Sequence, residues 1–308
     1  PSLATDRQRH PTQELMRRRL DGVLLLDKPA GPSSSAVLQA VKRLLEAEKA
    51  GHAGTLDPLA SGLLPLLLGE ATKFAQFGLD SIKEYRAQVR LGASTETGDA
   101  EGPVLERHPV NVDEAGLARA LARFRGAIEQ VPPMYSALKH AGRPLYALAR
   151  AGQSVQRAAR QVTVHELELL ERAGDVLHLR IKCSKGTYVR QLAVDLGLAL
   201  GTVAHLGALR RTAVAGFRLD QAVALDDLQA LGDEAQRALL LPADSLLAEL
   251  PRLDLDESQT ARFLNGQAIY LNGAEGPCRV YRREGPLLGV GEIHPGIGLR
   301  PVRLLARG

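Results

Sequence analysis

Asp57 sits in the string Gly51-His52-Ala53-Gly54-Thr55-Leu56-Asp57-Pro58-Leu59-Ala60-Ser61-Gly62. Gly51, Gly54 and Gly62 permit backbone angles closed to other residues, so the string reads as a shaped loop rather than a helix or strand. Pro58 biases Asp57 toward an extended conformation. The product is a carboxylate on a stiffened turn, a group that can attack an electrophile or take a proton. Catalytic groups concentrate on loops that buried structure holds in place. The apolar run Leu63-Leu64-Pro65-Leu66-Leu67-Leu68 supplies that anchor. A plainer reading stands beside this one: Asp before Pro is a common turn residue, and an isolated Asp in a glycine-rich loop is usually structural. Hydrolysis by a carboxylate pair or a metal is disfavoured, because no second motif carboxylate and no His/Cys/Asp cluster with ligand spacing is present.

Three further strings carry candidate groups. Cys183-Ser184-Lys185-Gly186-Thr187-Tyr188-Val189-Arg190 places Tyr188 and Arg190 two apart where a helix begins, and free N–H groups at such an end favour anions. Lys83-Glu84-Tyr85-Arg86-Ala87-Gln88-Val89-Arg90-Leu91-Gly92 alternates polar and apolar residues and reads as a strand carrying Tyr85. Gly22-Val23-Leu24-Leu25-Leu26-Asp27-Lys28-Pro29 reads as a buried strand running into a turn at Lys28. Each has a bland alternative: a strand tyrosine is usually packing, Arg190 a surface ion pair, Lys28 a turn residue. The segment Gly69-Glu70-Ala71-Thr72-Lys73 looks phosphate-binding, but it is not GxxxxGK[ST], which excludes a nucleotide triphosphatase on pattern.

The elements that must position these groups are legible in outline. One of Ser33, Ser34 and Ser35 caps a helix whose apolar face is Val37, Leu38, Val41, Leu44 and Leu45. A second helix starts near Ala71. Residues 112–124 form an amphipathic helix led by Asp113 and Glu114, which suit a helix N-terminus. Pro132 and Pro133 stop that helix, and a short helix follows at residues 145–150. Residues 160–170 and 176–182 are strands joined by a glycine turn, and a helix runs from the Cys183 string to about Leu200. Helical segments continue to about Leu250, and Pro251 marks a boundary. Beyond it, residues 278–282 and 286–292 are short β-like runs.

The chain has 308 residues, enough for one large domain and a small one. Its two cysteines, Cys183 and Cys278, are too few for a disulfide framework or a zinc site, which fits a reducing cytosol. No 18-residue apolar run and no signal-peptide core are present. Arg7, Arg9, Arg17, Arg18 and Arg19 make residues 1–20 a basic arm. The net charge is +4, but residues 177–218 hold seven Lys/Arg against one Asp, and residues 135–160 hold five against none. The remainder is therefore net acidic, and such asymmetry points to an anionic partner, nucleic acid first.

The string GHAGTLDPLASG resembles the signature loop of the TruB family, the bacterial tRNA pseudouridine-55 synthases. GVLLLDKP, GEATK, CSKGTYVR and Leu206-Gly207-Ala208-Leu209-Arg210-Arg211-Thr212 resemble further family strings, so the resemblance covers residues 22–217. It implies an α+β pseudouridine-synthase fold: a mixed, mainly antiparallel sheet with flanking helices, plus a small C-terminal β-rich PUA-like domain at residues 251–308. The catalytic domain would span 21–250, with an RNA-clamping insertion at about 131–160 in which Gly142 and Gly152 serve as hinges or as caps. The activity implied is isomerisation of uridine 55 in the tRNA T-loop, without cofactor or metal. Asp57 would be catalytic, by attack on the sugar, attack on the base, or removal of the C2′ proton. Arg190 would pair with Asp57 at two points and keep it ionised. Tyr85 would stack on the base and shuttle a proton, Tyr188 would pack beneath it, and Leu209 and Lys28 would support the site. His52 would fill the stack left by the extruded base, with Lys73, Lys139, Arg143 and Arg150 on RNA phosphates. The resemblance further implies a monomer acting in the cytoplasm on tRNA, without membrane, guide RNA or protein partner. A non-catalytic RNA-binding module shares every basic feature; only Asp57, Tyr85 and Arg190 separate the two.

Overall fold

The structure is a computed structural model that describes residues 17–136, 138–271 and 273–305. Its centre is a ten-stranded sheet. Along its main path the strands are Val223–Ala224, Gly22–Lys28, Ser61–Leu68, Ala204–Val214, Lys83–Leu91, Val176–Cys183, Arg160–Ala173 and Gly126–Gln130. Most neighbours are antiparallel; Gly22–Lys28 with Val223–Ala224, and Ala204–Val214 with Ser61–Leu68, are parallel. The latter pair meets only at Arg210↔Ser61 and Arg211↔Gly62. The sheet thus has two well-paired halves joined by a short seam.

Each half buries its own core. Helices Glu114–Arg123 and Val189–Ala199 cover one half through Leu117, Leu121, Leu192 and Leu196, packed on Val89, Leu179 and Ile181. Helix Ser34–Leu44 covers the other through Val37, Leu38 and Val41, against Leu24, Leu64 and Leu66. Ser33 is its cap, accepting from the Ala36 N–H at 3.1 Å. Tyr85 and Leu209 pack against both cores, so they stand at the seam. The opposite face of the second half buries Leu63, Leu67 and Phe74 together with Leu246, Leu247 and Val290 of the chain's later segments.

The C-terminal part is a four-stranded sheet in the order Arg252–Leu255, Gly276–Arg282, Leu287–His294, Gly298–Leu304, closed over by helix Glu257–Leu264. The first and last strands and the helix are absent from the sequence reading. The helix had a readable signal: Asp256 and Gln259 form a reciprocal capping box, each side chain on the other's backbone N–H.

Local differences from expectation have local causes. Gly51 and His52 belong to strand Ala50–His52 and Ser61 and Gly62 to the next strand, so the loop proper is residues 53–60. Pairing of His52 with Leu66 and of Gly51 with Leu67 gives these residues ladder partners that glycine content hides. The helix expected near Ala71 is a 3₁₀ turn at Gly69–Phe74 followed by helix Ala75–Asp80. The Asp21 carboxylate accepts from the Glu70 N–H at 2.7 Å and fixes that tighter start. The helix expected from Cys183 begins at Val189, because Cys183 still pairs in its strand. Arg7 and Arg9 of the basic arm lie outside the described residues. Arg18 is not free: it exchanges backbone hydrogen bonds with Glu46 and Glu48 and pairs with the carboxylates of Glu46 and Asp233.

Gly62 is where the seam demands glycine. Its φ is +101°, and a Cβ there would lie 2.3 Å from the Arg211 carbonyl oxygen and 2.7 Å from the Arg211 nitrogen. Gly142 is also left-handed, at φ +80°, but faces open space. Gly142→Ala should cost about 1–2 kcal/mol from backbone angle alone. Gly62→Ala adds a backbone collision to strain of about 1–3 kcal/mol and should cost clearly more. Urea unfolding of the two variants checks the order; equal losses would mean that the seam relaxes freely.

Candidate active site

The loop at residues 53–60 crosses the seam and is clamped on both flanks. Ser34, 1% exposed, donates its hydroxyl to the Leu56 carbonyl and accepts from the Leu56 N–H, both at 2.8 Å. Lys28 is fully buried; its ammonium reaches the carbonyls of Pro29 at 2.8 Å, Pro32 at 2.7 Å and Pro58 at 3.5 Å. Gly31 donates to the Pro58 carbonyl, and the upstream end is held by Arg211, whose Nη2 donates to the Gly54 carbonyl at 2.9 Å. Burial brings Lys28 down to about 8 against the opposing pull of Asp57. Lys28 is therefore a structural bolt under the loop.

These clamps leave Asp57 facing a cavity of about 320 Å³ lined by Tyr85, Tyr188, Arg190, Leu209 and Arg211, with Lys83 and Ser136 at its sides. That volume is at the low end for small-ligand sites and suits one planar ring. A larger cavity of about 490 Å³ lies between residues 111–123 and 199–201, but it holds none of the motif groups.

Arg190, on the first turn of helix Val189–Ala199, organises the charges. Its Nε lies 2.9 Å from Asp57 Oδ2, but not along the N–H direction, so the contact is a Coulombic pair rather than an aligned hydrogen bond. The rest of the guanidinium is engaged elsewhere. Nη1 donates to the Thr97 carbonyl at 3.2 Å and sits 3.5 Å from Asp99 Oδ2, while Nη2 donates to the Tyr135 carbonyl at 2.6 Å. The guanidinium is therefore shared among three segments rather than devoted to Asp57. Burial is the largest influence on Asp57 and raises its pKa; Arg190 is the main opposing one, and Asp99 raises it further.

Asp99 and Gln130 were missed. Asp99 lies in the polar turn after strand Lys83–Leu91, yet it is 3% exposed and faces Arg190. The Thr97 hydroxyl and the Glu101 N–H donate to its Oδ1. Gln130, 2% exposed, accepts from the Tyr188 N–H at 2.8 Å and donates to the Tyr188 carbonyl at 3.1 Å, fixing the tyrosine at the helix start. Neither has a local sequence signal beyond being polar, since their partners are 91 and 58 positions away.

Tyr85 and Arg211 face each other on neighbouring strands, and Leu209 lies opposite Ala87 on the same face. His52 does not line the cavity. It is half-buried on its strand, its Nδ1 has no hydrogen-bond partner, and burial followed by Arg211 lowers its pKa. Lys73 is committed elsewhere: its ammonium meets Glu70 at 2.7 Å and the Leu304 carbonyl at 3.0 Å, so it ties the central sheet to the last C-terminal strand. A phosphate contact by Lys73 would have to compete with both.

The two basic blocks differ. In residues 177–218, Arg180, Lys182, Lys185, Arg210 and Arg218 are each answered by a carboxylate, most of them from other strands, and Arg211 is buried. Acid-free in sequence is not acid-free in space. In the middle block, Lys139, Arg143 and Arg150 are exposed and enter no ion pair among the described residues; Arg150 lies over the Tyr146 ring at 5.7 Å. Gly142 forms a hairpin tip, and Gly152 ends helix Leu145–Arg150 by donating to the Ala149 carbonyl, which is the capping role. Among the described residues no three His, Cys, Asp or Glu side chains cluster as metal ligands. No helix there is long and apolar enough to cross a membrane.

Arg190 is the strongest charge acting to ionise Asp57. In Arg190→Gln the Asp57 carboxyl should titrate at higher pH than in the parent, where it already lies above the ordinary aspartate value. A ¹³C-NMR titration of the Asp57 carboxyl reads both values; an unchanged or lower pKa in the variant would show that the pair is not electrostatically coupled.

Comparison with known proteins agrees with this geometry. Residues 42–189 match the model of the TruB family pseudouridylate synthase N-terminal domain. Residues 190–248 match the tRNA pseudouridylate synthase B C-terminal domain, and residues 251–305 match the pseudouridine synthase II TruB C-terminal model. A tRNA pseudouridine synthase B of Aromatoleum aromaticum is 55% identical over 94% of each chain. One of Cupriavidus pinatubonensis is 53% identical over 98% of this chain and 99% of its own. Among solved structures, a Cbf5-Nop10-Gar1 complex contains a chain 28% identical with a TM-score of 0.72, covering 92% of this chain and 84% of that one. Sequence, sheet and pocket agree, and this chain belongs to the TruB family of pseudouridylate synthases.

Proposed function

We propose that this chain isomerises uridine 55 in the T-loop of tRNA to pseudouridine, with Asp57 as the reacting carboxylate and no cofactor. The observation that carries the reading is the Asp57–Arg190 pair inside a ring-sized pocket walled by Tyr85 and Tyr188. Relatives 50–55% identical over nearly their whole length are named tRNA pseudouridine synthase B, which supports tRNA as the substrate.

The reaction breaks the N1–C1′ bond, turns the uracil and rejoins it through C5. Nothing is oxidised and no group leaves, so one carboxylate and a closed pocket suffice. Asp57 attacks the sugar, attacks the base or removes the C2′ proton; its loop clamps and Arg190 hold it in place for any of these. Tyr85 stacks on the base and shuttles a proton, and Tyr188 and Leu209 pack around the ring. The uridine reaches the pocket by extrusion from the T-loop, which costs on the order of a few kcal/mol offset by pocket and backbone contacts. His52, beside the loop, fills the vacated stack.

Residues 131–160 act as the RNA clamp. Tyr135 and Ser136 already touch the site, through Arg190 and as pocket lining respectively, while Lys139, Arg143 and Arg150 are exposed for phosphates. Residues 251–308 serve as a PUA-like RNA-binding domain attached to the catalytic domain of residues 21–250, and residues 1–20 form a basic arm. The enzyme works as a cytoplasmic monomer without guide RNA or protein partner.

Asp57→Asn should fold and bind tRNA within about tenfold of the parent, roughly 1.4 kcal/mol. Its isomerisation rate, read as tritium release from C5-labelled uridine, should fall below detection; substantial turnover by the folded variant would sink the assignment. A pure RNA-binding module would show no release from either protein.

Binding should weaken with salt by a log–log slope of about 0.7–0.9 per phosphate contact. With the other block internally paired, replacing Arg143 and Arg150 by Glu should flatten that slope. A slope that stays the same would remove residues 131–160 from the interface.

A further inference from the structure

Arg211 holds the Gly54 carbonyl but has no part in the chemistry above, yet it is the most buried arginine among the described residues, 1% exposed. It enters no ion pair there. Its Nε donates to the Leu63 carbonyl at 2.7 Å and its Nη2 to the Gly54 carbonyl at 2.9 Å. Nη1 lies 3.4 Å from where a Cβ of Gly54 would stand. A permanent positive charge taken out of water without a counter-charge costs several kcal/mol. Carbonyl bonds alone would be a poor reason to keep it beside a reacting carboxylate.

Its neighbour explains it. Arg211 and Tyr85 are directly opposed on antiparallel strands and both line the Asp57 pocket, and the guanidinium and the phenol act electrostatically on each other. A guanidinium has five N–H donors and no acceptor. In a hydrogen bond between the two, the phenol oxygen must therefore accept, and its own O–H turns away from Arg211. Burial also pushes the phenol pKa up, so the O–H stays protonated at neutral pH.

The chemistry supplies something to receive that O–H. Breaking N1–C1′ sends the bond pair to N1, whether Asp57 attacks C1′ or takes the C2′ proton, and the charge spreads to O2 and O4. Addition of Asp57 to the ring instead places charge on a ring carbonyl. Every route leaves a negative uracil against Tyr85.

We propose that Arg211 is a positioning residue that occupies the Tyr85 phenol oxygen and so presents the Tyr85 O–H as a hydrogen-bond donor to the charge developing on the uracil. The arrangement is an oxyanion hole built on a side chain, with the buried cation strengthening the donor. It rests on the proposed isomerisation.

The test is a double-mutant cycle on the single-turnover rate at saturating enzyme with a pre-folded T-arm stem-loop. Tyr85→Phe and Arg211→Met should each slow the rate by about 10²-fold, the size of one lost donor. The double variant should lie within about threefold of the slower single one, because both changes remove the same donor. RNA affinity should not change, and Arg211→Lys, which restores charge and a donor, should recover part of the loss. Multiplicative losses in the cycle, or parental rates in folded Arg211→Met, would overturn the proposal. Should Arg211 variants fail to fold, 3-fluorotyrosine at position 85 tests the same donor: a more acidic phenol should speed the reaction, and a slower one refutes the role. A parent enzyme that makes no pseudouridine would fail the functional reading instead, independently of this cycle.

Discussion

Burial of charge is the constraint on which this structure turns. Arg190 carries a permanent positive charge into a site where it is only 7% exposed, while its partner Asp57 is 43% exposed. A buried guanidinium is tolerable only when most of its N–H groups are bonded and a negative charge is near. Arg190 meets this by drawing three distant segments onto itself: the Asp57 loop, the turn with Thr97 and Asp99, and the Tyr135 carbonyl of the clamp segment. The catalytic loop, a structural turn and the clamp are thus brought to one point by one side chain. Arg190 acts as a junction first and as a partner of Asp57 second.

The sheet makes room for that junction. Its halves are each closed by a full apolar core, and they meet along a parallel seam of two residue pairs. A short seam leaves the pocket between halves without leaving either core open. Rigidity then comes from polar bolts rather than from more packing: Ser34 and Lys28 under the loop, Gln130 at Tyr188, Arg211 at Gly54. Each bolt spans a long sequence distance, so the loop is stiff because the whole sheet is assembled. The same assembly explains why Gly62 must be glycine: the seam brings the Arg211 backbone onto the place of its side chain.

Much of this was legible in the residue string. The dense motifs located Asp57, Tyr85, Tyr188, Arg190, Leu209 and Lys28, and all six stand at or beneath one pocket. Apolar runs and period-two and period-3.6 patterns located four central strands and most helices, because their apolar faces answer to local geometry, whereas strands Ala204–Val214 and Gly126–Gln130 were not read. The C-terminal sheet was half visible: the strand at residues 278–282 alternates, whereas Arg252–Leu255 and Gly298–Leu304 mix charge with short apolar runs and depend on their neighbours for identity.

What the sequence alone determined is therefore the inventory: which carboxylate is held on a stiff turn, which aromatics and arginines accompany it, and which segments have an apolar face. What the tertiary structure decided is pairing. Asp99 and Gln130 became site residues, and Lys73 became a tie to Leu304. The cations of residues 177–218 lost their freedom to carboxylates, on adjacent strands for Arg180 and Lys182 and at the end of helix Ala75–Asp80 for Lys185. The physical reason is common to all of these. A charge or amide is committed by whatever lies within about 3–4 Å, and in a sheet of this order those neighbours come from strands remote in the chain.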